Sequence, residues 1–244
     1  MPVLLIGTLD TKGVEFQFVR DLLHQAGVAT LVVDAGVLGP PHFAPDVPRE
    51  RVYAAAGTTL EAIRQAGDRG QAIKAAAEGA ARLATLYARD VEGALGLGGS
   101  AGTTIGTAAM RALPFGIPKL MVSTLASGQV RQYVGVRDIL MMHSVVDISG
   151  LNRISRTVLA NAARAMIGMV TRAEGAPAPG AMTCGTPLSA AAVSRSRPAD
   201  STPPTRSSAS SVVVRSSTPA IRPSRMNDSM VIPPVPVAWK TSTS

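Results

Sequence analysis

The chain has 244 residues, a formal net charge of +8, one cysteine and only 3% aromatic residues, enough for one large domain or for one medium domain with an appendage. The lone Cys184 excludes an internal disulfide framework and a multi-thiolate metal site. The excess charge is dispersed, with seven Lys/Arg against three Asp/Glu in residues 173–244, and no compact basic block interleaved with aromatics gives a nucleic-acid footprint.

In chain order, Val3–Ile6 is a continuous apolar run ending at Gly7, the pattern of a buried parallel strand. Met1-Pro2 leads straight into it without a basic n-region, so no signal peptide is read. Gly13–Gln25 carries a helical stripe at Val14, Phe18, Leu22 and Leu23 and stops at Gly27. Val28–Val33 reads as a second strand ending at Asp34, and Gly36–Pro48 as a Gly/Pro-rich loop. Arg51–Gly57 and Leu60–Gly67 read as short helices, Gly70–Arg89 as a long Ala-rich helix, and Ala94–Leu97 as a third strand. Thr103–Leu113 follows as a helix, then strands over Lys119–Ser123 and Ile139–Met142 and a closing helix over Asn152–Val170. Strands alternating with helices of ten or more residues predict an α/β fold, a Rossmann-like parallel sheet flanked by helices. A core poor in aromatics and rich in small aliphatics suits such layering. No apolar run approaches the ~20 residues of a membrane span, so the expectation is a cytoplasmic protein with neither membrane nor nucleic acid as partner.

The composition changes after Arg172. Eleven of the 18 prolines lie in residues 173–244, mixed with Ser, Thr and Arg and with no sustained period. Such a segment buries too little apolar surface to offset its ordering entropy and is expected to form a disordered tail.

In an open parallel sheet, ligands bind outside the carboxyl ends of the strands, so the loops there carry the chemistry. The third strand runs into Gly98-Gly99-Ser100-Ala101-Gly102-Thr103-Thr104. Glycines let backbone amides approach an anion, and a following helix N-terminus adds positive partial charge. Ser100, Thr103 and Thr104 can donate to phosphate oxygens or cap the helix; an ordinary strand–helix turn is the alternative. The first strand ends in Gly7-Thr8-Leu9-Asp10-Thr11-Lys12-Gly13. There Lys12 can neutralise a phosphate, Thr8 and Thr11 can donate, and Asp10 can accept from a ribose hydroxyl, hold Mg²⁺ through water, or merely cap the helix. Neither loop has the dinucleotide or Walker spacing. Ser123-Thr124-Leu125-Ala126-Ser127-Gly128 supplies further hydroxyls after the fourth strand, and Asp147, Asn152 and Arg153 precede the last helix, with an Asp147–Arg153 pair as the structural alternative. Together these loops predict one phosphate-rich pocket. His24, His42 and His143 have no ligand-like spacing, and no G-x-S-x-G elbow is present.

Five ordered stretches resemble one family: Gly7–Gly13, Val33–Gly39, Leu97–Thr104, Pro118–Thr124 and Ser144–Ser155. The chain resembles, over residues 2 to about 172, the Tm-one-like family, which shares the ATP-binding N-terminal region of the tomato tobamovirus-resistance protein. The resemblance implies ATP with Mg²⁺, a Rossmann-like fold and a homodimer; the plant protein's viral partner is not expected to transfer. It places phosphates at Gly98, Gly99, Ser100, Gly102, Thr103 and Thr104, with Lys12 as countercharge and Ser123, Thr124 and Ser127 lining the site. Ala101 stands where the family often has Gly. Two other readings stay open. The same pocket can turn over a phosphorylated or carboxylated small molecule, with Asp10 or Asp147 as base and Lys12 or Arg153 as anion clamp, or the chain can be a non-functional fragment.

The resemblance also implies a second α/β half, which residues 173–244 do not match. A family-like Ala-Gly-Val-Leu-Asp-Leu-Thr-Thr-Thr, back-translated with GC-rich codons and read as its shifted reverse complement, yields Ser211–Ala220; a similar stretch yields Pro233–Thr243. The tail is therefore expected to be frameshifted or antisense, with Trp239 an accident of reading frame.

Overall fold

In the computed structural model, which describes residues 1–128 and 130–171, the apolar runs of the sequence become five strands: β1 (Val3–Gly7), β2 (Thr30–Asp34), β3 (Gly93–Gly98), β4 (Lys119–Ser123) and β5 (Leu140–His143). The tail over 173–244, with Cys184 and Trp239, lies outside the described residues. The helices are α1 (Leu9–Gln25), α2 (Arg49–Ala55), α3 (Leu60–Ala66), α4 (Arg69–Leu86), α5 (Ser100–Ala112), α6 (Arg131–Val134) and α7 (Arg153–Val170). Among the described residues, no helix is long and apolar enough to cross a membrane.

All neighbouring strands pair in parallel, in the order β2-β1-β3-β4-β5. Every residue of β1 is buried because the sheet is covered on both faces. The two-residue period of the strand divides its run between two cores. Val3 and Leu5 pack with Phe16, Val19 and Leu23 of α1 and with Leu159 and Met166 of α7. Leu4 and Ile6 pack with Tyr53, Ile63, Ala76, Ala80 and Ile105, from α2 to α5. The Ala-rich α4 permits close helix contact: a Cβ on its Gly79 would stand 1.9 Å from the Val52 carbonyl oxygen of α2. Local chemistry sets the ends. Asp68 caps α4 by accepting from the Gly70 and Gln71 amides at 2.7 and 3.2 Å, and Asn152 with Ser155 closes a capping box on α7.

Two boundaries differ from the sequence reading in ways that matter. α1 starts at Leu9, not Gly13, so Asp10 and Thr11 lie in a first helical turn, joined to the rest through a non-helical Lys12 (φ −128°, ψ 18°). α5 starts at Ser100, not Thr103. Gly98 and Gly99 alone make the strand–helix turn, and the hydroxyl-rich residues after them are already helical. The one-turn α6 carried no periodic signal.

The strand order reverses its direction of growth between β1 and β3. Crevices at such switch points, outside the carboxyl ends of the strands, are where open α/β sheets bind ligands.

Candidate functional site

A cavity of about 580 Å³ opens at that switch point. Thr8, Asp10 and Thr11 border it from the end of β1, and Ala35, Val37 and Leu38 from the segment after β2. Tyr53, Ile63, Ala72, Ile73 and Ala76 form its apolar wall from α2, α3 and α4. Ala101 and Ile105 close it from α5, and Arg64 and Arg69 also line it.

A buried charge network shapes its floor. Asp34, at the end of β2, accepts from the Leu9 and Gly36 amides through Oδ1 at 3.0 and 2.9 Å. Its Oδ2 takes Arg49 Nε at 2.7 Å and lies 2.6 Å from Arg49 Nη2. Arg49 Nη1 donates to the Gly39 carbonyl at 2.6 Å and lies 3.7 Å from Asp10 Oδ2. That Asp10 oxygen also accepts from the Val37 and Leu38 amides at 2.9 and 2.7 Å, while the carbonyls of the same two residues receive Arg64 Nε and Nη2 at 2.7 and 3.1 Å. Gly36 is needed here for space, since a Cβ on it would fall 2.6 Å from Asp10 Cγ. Tyr53 stands beside the network. Burial, then the charge of Asp10, push its phenol from 10.0 up to about 12, against the pull of Arg49 and Arg64.

Of the glycine loop only Ala101 reaches the cavity lining. A Cβ on Gly98 would stand 2.8 Å from Gly102 Cα, and one on Gly102 3.0 Å from the Leu97 carbonyl oxygen, so these two glycines let β3 and α5 pack. Gly99 is different: a Cβ there would meet only Thr124 Oγ1, at 3.7 Å. α5 begins without a side-chain cap. Its first backbone bond runs from the Thr103 amide to the Gly99 carbonyl at 2.8 Å, so the amides of Ser100, Ala101 and Gly102 precede the helical ladder.

The remaining expected residues fall elsewhere. Thr103 and Ser123 are fully buried and share a 2.7 Å hydroxyl–hydroxyl bond that ties α5 to β4. Thr104 Oγ1 donates back to the Ser100 carbonyl at 2.9 Å. The Thr124 amide donates to the Gly98 carbonyl at 3.3 Å, and Ser127 is exposed. Gly7 faces α1, where a Cβ would strike the Phe16 ring. Lys12 Nζ donates to the Ile148 carbonyl. One turn further along α1, buried Glu15 accepts from the Gly150 amide at 2.6 Å. Asn152 is taken by the amides of Ile154 and Ser155, both at 2.9 Å. Asp147 and Arg153 are exposed, and no ion pair between them occurs among the described residues.

The cavity draws on the ends of β1 and β2 and on α2–α5, while the loop after β5 is braced against α1. Sequence reasoning missed Arg49, Tyr53, Arg64 and Arg69. A carboxylate ending β2, with Gly36 two residues on, was a usable signal; nothing in Pro48-Arg49 announces a buried cation.

Comparison with known proteins follows this division. A "UPF0261 protein" from Clostridium tetani is 46% identical over 170 residues, covering 69% of this chain and 42% of the relative. Another, from Rhizobium meliloti, is 47% identical over 171 residues, covering 70% and 42%. The tomato (Solanum lycopersicum) "ToMV resistance protein Tm-1(GCR237)" is 50% identical over 82 residues, covering 34% of this chain and 11% of that protein. The chain thus spans about two fifths of the length of the bacterial relatives it matches. Residues 1–175 match the model described as "Uncharacterised protein family (UPF0261) N-terminal domain", and the chain belongs to that family.

Proposed function

We propose that residues 1–171 form a nucleotide-binding module whose ligand is ATP. The observation that carries this reading is the cavity at the β1/β3 switch point: apolar on its α3/α4 side, and bordered on the other by an α5 N-terminus with no side-chain cap. An apolar wall of Ile63, Ala72, Ile73 and Ala76 suits a base, and helix-terminal amides with the dipole behind them suit phosphates. In this reading the phosphates lie against Gly99 and the amides of Ser100–Gly102. The Thr8 and Thr11 hydroxyls, 2.7 Å apart, flank them. Lys12 is tied to the Ile148 carbonyl and Arg64 to the Val37 and Leu38 carbonyls, so the countercharge falls to Arg69 at the cavity. ATP, rather than another nucleotide, is what the Tm-one-like resemblance implies.

Any Mg²⁺ at this site would be held chiefly by the phosphates and water, with at most one carboxylate from the chain. Among the described residues, no group of three or more His, Cys, Asp or Glu side chains could hold a metal, and Mg²⁺ commonly takes one or two carboxylates together with substrate phosphates and water. Asp10 is the candidate carboxylate, but the Arg49 cation 3.7 Å from its other oxygen disfavours a second cation there.

Calorimetric titration of the full chain with Mg-ATP tests the proposal. Saturable single-site heat is expected. Gly99→Val should abolish it while leaving the unfolding temperature nearly unchanged, because a Cβ there meets only Thr124 Oγ1, at an ordinary contact distance of 3.7 Å. No heat with the unmodified chain, or unchanged affinity in the variant, overturns the proposal.

A further inference from the structure

Asp10, Asp34 and Arg49 are almost wholly buried, with side chains 2%, 1% and 4% exposed. Two carboxylates thus share one guanidinium inside the protein. The second nearby cation, Arg64, is directed at the Val37 and Leu38 carbonyls rather than at either acid. Asp34 is satisfied on both oxygens, and Asp10 is satisfied on Oδ2 alone. Its Oδ1 is buried and has no hydrogen-bond partner among the described residues, yet Asp10 lines the cavity. A buried carboxylate oxygen without a donor is costly. The surroundings do not let it turn away, because Gly36 packs beneath it and two backbone amides fix the other oxygen. A ligand that brings a donor to Oδ1 removes that cost.

We infer that Asp10 is the specificity-determining residue of this cavity: its Oδ1 accepts a hydrogen bond from a sugar hydroxyl, so the site selects a ribose-bearing nucleotide over the deoxy analogue. The inference rests on the nucleotide reading above and adds the sugar to it. With the base against Ile63 and Ile73 and the phosphates at the α5 amides, the sugar falls between them, beside Asp10 and the Thr8 hydroxyl. A site built to bond a hydroxyl rejects the analogue lacking it, because the buried acceptor is then left unpaired.

The test is competition calorimetry on the full 244-residue chain with Mg²⁺ and ATP, 2′-deoxy-ATP or 3′-deoxy-ATP. At least one deoxy analogue should bind about tenfold or more weakly, the scale of a lost bond to a charged acceptor. Equal affinity for all three overturns the inference while leaving the nucleotide reading intact; no binding of ATP removes both. Asp10→Asn keeps an oxygen for the Val37 and Leu38 amides but replaces the charged acceptor with a neutral amide donor, and should lower the ribose preference severalfold. Full preference in a variant with native unfolding temperature also overturns it. Should the variant fail to fold, the analogue series on the unmodified chain decides alone.

Discussion

On the α1/α7 face of the sheet, buried Glu15 and the part-buried Lys12 are both closed by the chain itself, Glu15 by the Gly150 amide and Lys12 by the Ile148 carbonyl. On the opposite face, Asp10, Asp34 and Arg49 are equally buried, but their network ends on an oxygen with no hydrogen-bond partner among the described residues, beside a cavity. The two regions use the same residue types at the same end of the sheet. They differ in whether the polypeptide supplies the last hydrogen bond. Where it does, the charged groups brace a loop; where it does not, a buried acceptor borders the cavity.

Breaking the network at its centre should have the largest effect. Asp34→Ala removes the acceptor for two backbone amides and strands the Arg49 guanidinium in the interior. Losing one partner of a buried ion pair costs about 3–5 kcal/mol, to be read from urea unfolding. A cost below ~1 kcal/mol would mean that water reaches the pair, and the contrast between the faces would collapse.

Gly36→Ala acts on the same region through space alone. Its Cβ would sit 2.6 Å from Asp10 Cγ, so the carboxylate must move, at about 1–3 kcal/mol of overpacking. Nucleotide affinity should fall roughly tenfold with it, the scale of one charged hydrogen bond. Stability loss with unchanged affinity would detach Asp10 from the ligand.

Lys12→Met probes the braced face. Removing the bond to Ile148 should cost about 1–2 kcal/mol of stability and leave affinity for Mg-ATP unaltered. A large loss of affinity would show that Lys12 leaves Ile148 for a phosphate, and would merge the two regions into one site.

The architecture was legible because it rests on local pattern. The runs Val3–Ile6 and Ala94–Leu97 and the apolar centre of Lys119–Ser123 are short and lie between helical stripes, as buried strands do, and all five expected strands are present. The site was legible only at β1, where Thr8, Asp10 and Thr11 reach the cavity. Lys12, which by its place after a strand end has the composition of a phosphate ligand, donates to the Ile148 carbonyl. Its direction depends on the α1 kink and on where Ile148 lies, 136 positions away. The hydroxyls of Ser123 and Thr103 bond each other across the β4–α5 seam, a pairing that sequence spacing does not encode. Arg49, Tyr53 and Arg64 enter through short helices whose placement follows from the long β2–β3 crossover and not from any motif.

The smallest expected effect is a pH dependence carried by Tyr53. Burial, and after it the negative charge of Asp10, raise its phenol from 10.0 to about 12. The unfolded chain therefore releases this proton at a lower pH than the folded one. By linkage, the contribution is fully present below pH about 10 and is lost as the pH climbs towards about 12. Urea unfolding on either side of that window should show the stability difference between the unmodified chain and Tyr53→Phe shrinking as pH rises. Asp10→Asn should weaken the same trend by removing the second cause of the shift while leaving burial in place. A trend that ignores Asp10 would mean its charge is neutralised within the protein, and the face that holds the cavity would then be as electrostatically closed as the one that braces Ile148.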